Sequence, residues 1–566
     1  MVVIGGGPVG LSTAHLLGRA GISTLLLERH ASTSRHPRAS GIHGRTMEIF
    51  RQWGLAEEVR AAALPPERAQ GFGWMTRLNG VELGRLMFAD GNDSTGPHDQ
   101  PGPETPCFCP QHAYEPILLG AAAAHPSVTV EFDREVETVD QDGHQVRLGV
   151  RHLDRDVTEE VRALYVVAAD GAGSPTRERL GIGETATARF AHSVNVHFRA
   201  DLAAYVDDKP FMLFWIVNGD TQGTIGAASR DQTRWTYNFD ADNTAEYSDE
   251  AIALQVRQAV GAPDLDVEVL DVLRWDYDQA VSNRWRLGRV LLAGDAAHRF
   301  PPHGAFGMNS GVQDANNLAW KLAHVSRGLA GDGLLDTYEA ERKPVAELNS
   351  AQALANTRSL GETGWHGAHP EELAAIEMPI EGRELRGRIG AAVSNQRAHL
   401  HSDGQQYGTV YTSAAVVPDG TAPVESTVGE YRETGFPGAR APHVWLRRSG
   451  VERLSTVDLW DGGFALLVGA AGDLWLRAAS AAADRFVVHL TAHQIGPELG
   501  LADDGDPWTQ KYGVPEDGAV LVRPDGHVGA RFAQLPADPC AVLDEAVGRI
   551  LQIGMDPGPF NSLGEA

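Results

Sequence analysis

Residues 1–10, Met-Val-Val-Ile-Gly-Gly-Gly-Pro-Val-Gly, decide the fold. The apolar run Val2 to Ile4 meets Gly5, Gly7 and Gly10 at GxGxxG spacing. A helix-compatible segment, Leu11 to Arg19, stops at Gly21, and a second apolar run, Thr24 to Leu27, ends on Glu28. Strand, glycine turn, helix, strand and terminal acid together make a βαβ dinucleotide fingerprint. In that pattern Gly5 permits the tight turn and Gly7 lets a pyrophosphate approach the backbone. Gly10 lets helix and strand pack closely. Pro8 and Val9 open the helix whose free N–H groups receive the phosphates, and Glu28 is placed for ribose hydroxyls.

Two later segments repeat the design of an apolar strand ending beside an acid and glycine. Leu164 to Ala169 runs into Asp170-Gly171-Ala172-Gly173-Ser174, and Arg289 to Ala293 runs into Gly294-Asp295-Ala296-Ala297-His298. Strand C-termini of a doubly wound sheet line one edge, where ligands bind. Glu28, Asp170 and Asp295 are therefore expected to meet at one ligand, although aspartate also favours turns for its own backbone bonds. After Asp295 a Pro/Gly-punctuated loop, Arg299 to Gly311, opens a helix from Val312 to Ala323 with apolar residues at helical spacing. Such a helix start favours negative charge and suits the N1–C2=O edge of a reduced flavin.

Residues 183–282 break this rhythm. Ser193 to Ala200, Phe211 to Val217 and Arg234 to Phe239 read as antiparallel strands of an inserted layer, which residues 70–100, with Trp74 and a Gly/Asp/Asn/Pro-rich tip, are expected to join. Residues 334–400 read as helical, and Gly408 to Pro437 as a linker. The remainder reads as a small α/β domain with strands at Val444 to Leu446, Phe464 to Val468, Phe486 to Leu490 and Ala519 to Val522.

With 566 residues, 42% hydrophobic and 22% charged, the chain is expected to form two to four ordinary globular domains. Its formal charge of −27 argues against nucleic acid or an anionic membrane as partner. Cys107, Cys109 and Cys540 offer neither a disulfide framework nor zinc spacing, so no metal is expected and a reducing compartment fits. No basic leader precedes the first strand and no apolar run approaches about 20 residues. The expectation is a cytoplasmic protein.

Taken together, the motifs resemble those of FAD-dependent aromatic hydroxylases of the para-hydroxybenzoate hydroxylase fold, the class A flavoprotein monooxygenases. Within that family the chain is most similar to chlorophenol monooxygenases and aromatic polyketide hydroxylases. The likeness rests on Gly5 to Gly10 with Glu28-Arg29, Pro37-Arg38-Ala39, Arg45-Thr46-Met47-Glu48, Pro110-Gln111, Ala169-Asp170-Gly171-Ala172 and Gly294-Asp295-Ala296-Ala297-His298. It continues through Asn316 to Leu322, Tyr338 to Arg342, Pro437 to Pro442 and Leu521 to Gly526.

The resemblance implies an α/β architecture: a Rossmann-like FAD-binding domain (1–72, 101–182 and 283–405) with an inserted, mainly antiparallel substrate sheet (73–100 and 183–282). A linker (406–432) and a thioredoxin-like C-terminal domain without CxxC (433–566) complete it. It implies FAD as cofactor, NADPH or NADH and O2 as co-substrates, and hydroxylation of an electron-rich, phenol-like ring through a flavin C4a-hydroperoxide in natural-product tailoring. Gly5, Gly7, Pro8, Val9 and Gly10 would hold the pyrophosphate, and Glu28 with Arg29 the adenosine. Arg38, Arg45 and Gln111 would approach the pyrophosphate, ribityl chain or flavin, with Arg45 also a catalytic candidate. Asp170 is implicated in FAD and NADPH handling. Gly294, Asp295 and Pro302 would border the ribityl region, and Gly307, Met308 and Asn309 the isoalloxazine.

Two positions depart from the family pattern. The loop often written Gly-Gly-Gln-Gly reads Gly304-Ala305-Phe306-Gly307, so Phe306 is expected to line the substrate pocket. Ser40 stands where phenol hydroxylases place an acid before Gly41-Ile42. The base is left open among His43, His303 and Tyr277. Phe211, Trp215, Trp235, His303 and Phe306 are the substrate-contact candidates, drawn from the loop and from aromatic strand positions. The partner expected is a small aromatic molecule, with a homodimer as an open option. A Baeyer–Villiger oxygenase, a flavin-dependent reductase and a non-catalytic FAD-binding regulator are the competing functions.

Overall fold

The structure, a computed structural model, describes residues 1–88, 100–241, 247–365, 370–448, 453–497, 499–505 and 507–554, without the side chains of 186–191. The Gly/Asp/Asn/Pro-rich tip falls on 89–99 and lies outside the described residues. Two compact units divide the chain. One comprises Met1–Ala319, Arg342–Tyr407 and Ser426–Tyr431, the other Trp320–Glu341, Gly408–Glu425 and Arg432–Ala566.

The first unit is built on a six-stranded sheet with Val2–Ile4 near its middle. The order is Arg286–Leu287, Val290–Leu292, Val166–Ala168, Val2–Ile4, Thr24–Leu27 and Val128–Glu131, parallel except for the first strand. Apart from Thr24, the central strands are apolar because both faces are covered. One covering layer is an antiparallel meander of Arg134–Gln141, Val146–His152 and Val157–Ala163, whose Val136, Leu148 and Val150 pack on Val2 and Ile4. Sequence reading had not singled out this meander. Register places Ile4 beside Leu27 and Ala168, and Ala168 beside Leu292. Gly5, Glu28, Ala169 and Ala293 therefore leave the sheet at one edge.

An eight-stranded sheet carries the second layer of this unit. Its order is His298–Arg299, Glu268–Ser282, Glu184–Arg199, Arg234–Asp240, Gln222–Ala227, Phe211–Val217, Gly71–Met75 and Glu82–Met87. Every pair is antiparallel except Phe211–Val217 with Gly71–Met75. One face buries Phe214, Ile216, Trp235 and Tyr237 with Ile252 and Val256 of the helix Asp249–Val260. The other buries Trp74, Trp215 and Val217 with Leu360, Trp365, Ile389 and Val393.

In the second unit the strands run Leu490–Ile495, Phe464–Gly469, Ala519–Val522 and Val528–Phe532, the first pair parallel and the others antiparallel. The expected strand Phe486–Leu490 is corrected: Phe486 ends the helix Asp473–Phe486, and the strand begins at Leu490. Trp475, Ala478, Ala479, Ala482 and Phe486 are all buried at helical spacing, and that period outweighs the β-branched, aromatic appearance of residues 486–490. Four buried charges cluster elsewhere in this unit. Arg523 donates to both oxygens of Glu341 (2.6 and 2.8 Å) and to Asp525, while Lys321 donates to Glu341 at 2.7 Å. Ser413 adds a hydroxyl to Glu341 at 2.6 Å. The set carries two cations and two anions, so its charge balances inside the protein.

Trp475 packs in the core of the second unit with Phe486 and Leu543, and its indole N–H donates to Asp517 O at 3.0 Å. Trp475→Ala is expected to destabilise that unit by about 3–5 kcal/mol. Urea unfolding followed by tryptophan fluorescence checks this; a midpoint equal to the parent's would contradict it.

Candidate active site

At the shared sheet edge the three fingerprint glycines answer different constraints. Gly5 has φ 107°, and a Cβ there would collide with Ala169 O. A Cβ on Gly10 would collide with Gly5 O, so this glycine seats helix against strand. Gly7 has nothing within 4 Å of its Cβ position: no neighbouring atom of the fold requires glycine there. The helix Pro8–Arg19 starts at Gly7 with proline in its first turn, no side-chain cap and no acid. An uncapped helix start facing open space fits a diphosphate. Val9 fills space instead, because a Cβ on either Gly294 or Gly311 would strike it. Glu28 is buried and accepts the N–H of Gly6 (2.5 Å) and of His30 (2.8 Å).

Asp170 and Asp295 emerge at the same edge with different surroundings. Asp170 accepts the Ser174 hydroxyl at 2.5 Å and the Thr176 N–H at 3.0 Å, which closes its own turn. Asp295 is solvent-accessible, yet desolvation raises its carboxyl pKa against the pull of His298, Arg38 and Arg299. Arg38 is exposed, and its carbonyl accepts the Gln111 N–H at 3.1 Å. The Gln111 side chain donates to Glu115, whose other oxygen takes the Ser34 N–H at 2.7 Å. Arg29 and Pro302 are exposed.

The helix Phe306–Ser326 begins in a clasp between distant segments. Asn309 Nδ2 donates to Gly41 O (2.9 Å) and Ala305 O (2.6 Å), while its Oδ1 accepts the His43 N–H at 2.9 Å. His43 Nε2 is hydrogen-bonded to Gly304 O at 2.8 Å. Since a carbonyl only accepts, Nε2 carries the proton. Gly307 has nothing within 4 Å of its Cβ position, and Met308 beside it is half-buried. Ala39 (φ 49°) and Ala305 (φ 57°) hold left-handed conformations in the two clasped loops.

A hub one turn further along this helix was not singled out from sequence. Asp314, fully buried, accepts the Gly294 N–H at 3.2 Å and Arg342 Nε at 2.8 Å, and pairs with His298 Nε2 at 2.7 Å. Burial alone would raise its pKa; His298 and Arg342 together hold it below the usual carboxylate value. Arg342 also donates to Ser310 O at 3.2 Å. The available signal was an acid inside an apolar helical run, two residues before the Asn316 motif.

Aromatic rings from several elements gather around His303, on the loop ahead of that helix. His303 stacks with Tyr277 (centroids 6.0 Å, 11°) and lies 6.0 Å from Trp215, 5.4 Å from Trp365 and 6.3 Å from His399. Phe306 is buried edge-on to His43 at 5.7 Å. Two substrate candidates are corrected. Period-two counting puts Phe211 on the face of Trp215, but a register shift between Phe211 and Leu213 turns its ring to Phe214 (5.7 Å) in the opposite core. Trp235 belongs to that same core and donates its indole N–H to Ala200 O at 3.2 Å. Arg45, a catalytic candidate, has its guanidinium buried (3% exposed) in an ion pair with Glu48 one helical turn away.

A model of the FAD binding domain matches residues 1–353, and one described as aromatic-ring hydroxylase, C-terminal, matches 434–552. The chain belongs to the FAD-dependent aromatic-ring hydroxylases. It is 38% identical to a putative polyketide hydroxylase of Streptomyces halstedii over 95% of this chain and 94% of that one. Among solved structures it is similar to the flavin-dependent monooxygenase PieE in complex with FAD and substrate: TM-score 0.89, 34% identity, 97% of this chain and 98% of that one. Aklavinone-11 hydroxylase with FAD and aklavinone gives TM-score 0.81 and 32% identity over 97% and 98%. The FAD that the family binds fits the open space at Gly7 and Gly307, the uncapped helix start and the exposed carboxylate of Asp295. Among the described residues no helix is long and apolar enough to cross a membrane, and no His/Cys/Asp/Glu group could hold a metal.

Gly7→Ala is expected to leave the thermal stability of the apoprotein unchanged while weakening FAD binding at least tenfold, because its methyl enters only ligand space. Gly10→Ala should lower both. Flavin fluorescence titration and apoprotein melting separate the two outcomes.

Burial lowers His15, His43, His197 and His399 to about 4 from an ordinary 6.5. The unfolded chain then takes up protons between these values that the fold refuses. Stability is expected to be full above pH 6.5 and to fall as pH drops towards 4. His399→Gln should flatten part of that slope in melting curves.

Proposed function

We propose that this enzyme uses reduced nicotinamide and O2 to place one oxygen atom on a phenol-like ring of a multi-ring natural product. The carrying observation is the ring cluster that Trp215, Tyr277 and Trp365 form around His303, which stands on the loop that runs into Gly307–Asn309. Flat apolar walls with few polar groups suit an aromatic guest. The polyketide hydroxylase and aklavinone-11 hydroxylase likenesses support a polyketide-like substrate.

When bound, FAD supplies electron transfer and oxygen activation. In this reading Gly5, Gly7 and Gly10 admit the pyrophosphate to the helix start, and Glu28 receives the adenosine ribose. Arg38, Gln111 and Asp295 would hold the diphosphate and ribityl chain. Gly307, Met308 and Asn309 border the isoalloxazine, where the helix N-terminus favours negative charge. The protein's own work is to hold the guest ring beside that border and exclude water from it.

The domain plan proposed is a discontinuous FAD-binding domain (1–72, 101–182 and 283–405), a substrate sheet (73–100 and 183–282), a linker (406–432) and a C-terminal domain (433–566). The sheet order of the second unit, one parallel pair extended by two antiparallel strands, supports a thioredoxin-like reading of that last domain. Its only cysteine, Cys540, leaves it without a CxxC pair.

FAD-loaded protein, incubated with NADPH and hydroxylated naphthalenes or anthraquinones, is expected to consume NADPH and O2 and yield a product heavier by one oxygen. A product gaining two hydrogens and no oxygen would indicate a reductase. A hydrolysable ring ester would indicate Baeyer–Villiger chemistry.

A further inference from the structure

Three imidazoles from distant segments meet beside Arg38 and Gln111. His197, on the strand Glu184–Arg199, has its ring centroid 6.1 Å from that of His36 and 5.9 Å from that of His112. His36 stands two residues before Arg38, and His112 follows Gln111 at the start of the helix Gln111–Ala123. Backbone bonds tie these loops together: Arg38 N–H donates to His36 O at 3.0 Å, and Gln111 N–H donates to Arg38 O at 3.1 Å. His36 and His197 are each 5% exposed. His36 Nε2, His112 Nδ1 and His197 Nε2 are buried without a hydrogen-bond partner among the described residues.

The surroundings of the trio are short of anions. Asp271, half-exposed on the strand Glu268–Ser282, pairs with His36 Nδ1 at 2.9 Å and can balance one imidazolium. Arg234, on the strand Arg234–Asp240, already adds a cation that acts on both His112 and His197. The titratable and charged groups facing His197 are thus His36 and His112 from the two loops, with Asp271 and Arg234 from the neighbouring strands. Burial, joined by repulsion from Arg234 and the other imidazoles, lowers His112 and brings His197 to about 4. A second proton in the trio has no counter-charge, and at these ring separations imidazolium would face imidazolium.

We propose that His36, His112 and His197 form a proton-sensitive latch: when neutral they hold the Arg38 and Gln111 loops on the sheet in position for FAD, and acid opens it. The inference rests on the placement of Arg38 and Gln111 at the cofactor read above. Linkage sets its sign. An imidazole freed from the cluster regains an ordinary pKa of 6.5, so opening takes up protons below that pH and none well above it. FAD affinity is therefore full above pH 6.5 and is lost as pH falls below it.

The test measures the Kd for FAD from pH 7.5 to 5.5 by flavin fluorescence in the parent, His197→Gln, His15→Gln and Arg38→Gln. Two imidazoles returning to their ordinary pKa weaken the parent's affinity about a hundredfold over that span, and the one left in H197Q about tenfold. At pH 7.5 H197Q should stay within about threefold of the parent. H15Q removes an equally depressed imidazole elsewhere in the fold, so its profile should match the parent's. Far-UV circular dichroism should hold constant to pH 5.5, so that release precedes unfolding. The latch is overturned by a flat parent profile, by an H197Q profile as steep as the parent's, by an H15Q profile as shallow as that of H197Q, or by release that coincides with unfolding. R38Q is expected to weaken FAD binding at every pH. If it does not, the placement of Arg38 at the cofactor fails and the latch with it. If R38Q weakens binding while H197Q keeps the parent's slope, the latch alone fails.

Discussion

Asp314 joins three pieces of chain that must agree before a flavin can be held. Its carboxylate takes the N–H of Gly294, where the third strand turns, and the guanidinium of Arg342 from another helix. It also takes His298 from the strand that joins the second sheet. An acid with no exposed surface is tolerable only when fully paired, and removing one partner from such a set costs about 3–5 kcal/mol. The position of Asp295 follows from this pairing, because Gly294 and His298 bracket it in sequence. The clasp of Asn309 then fixes the start of the same helix against Gly41 and Ala305. Turn and helix start are thus fixed by hydrogen bonds whose partners lie far apart in the chain.

The glycine fingerprint was legible because two of its glycines answer local steric demands. Gly5 and Gly10 are crowded by backbone, and the strands around them are short, apolar and parallel. The eight-stranded sheet could be read from its β-branched and aromatic runs, as at Phe211–Val217. Side-chain facing there was less legible. A single bulge reverses every residue beyond it, which sequence periodicity cannot register, and Phe211 went to the wrong face for that reason. Phe486 misled in the opposite way, because a short aromatic and β-branched segment at a helix end looks like a strand.

Polar hubs were the least legible part of the site. Asp314, His298 and Arg342 each sit inside a motif-rich stretch, but nothing in composition or spacing says that they meet. Their meeting depends on tertiary placement of two helices and a strand.

The charge cluster of the second unit bears on how such proteins can be recombined. Arg523 and Asp525 come from the last hundred residues, whereas Lys321 and Glu341 come from well upstream of the proposed linker. A chimera that joins the upstream part of one relative to the tail of another would have to inherit all four, or leave a lone ion in a dry interior. Family members could therefore exchange tails freely only where this quartet is shared. The division into units does not follow the proposed linker, because Trp320–Glu341 belong with Arg432–Ala566.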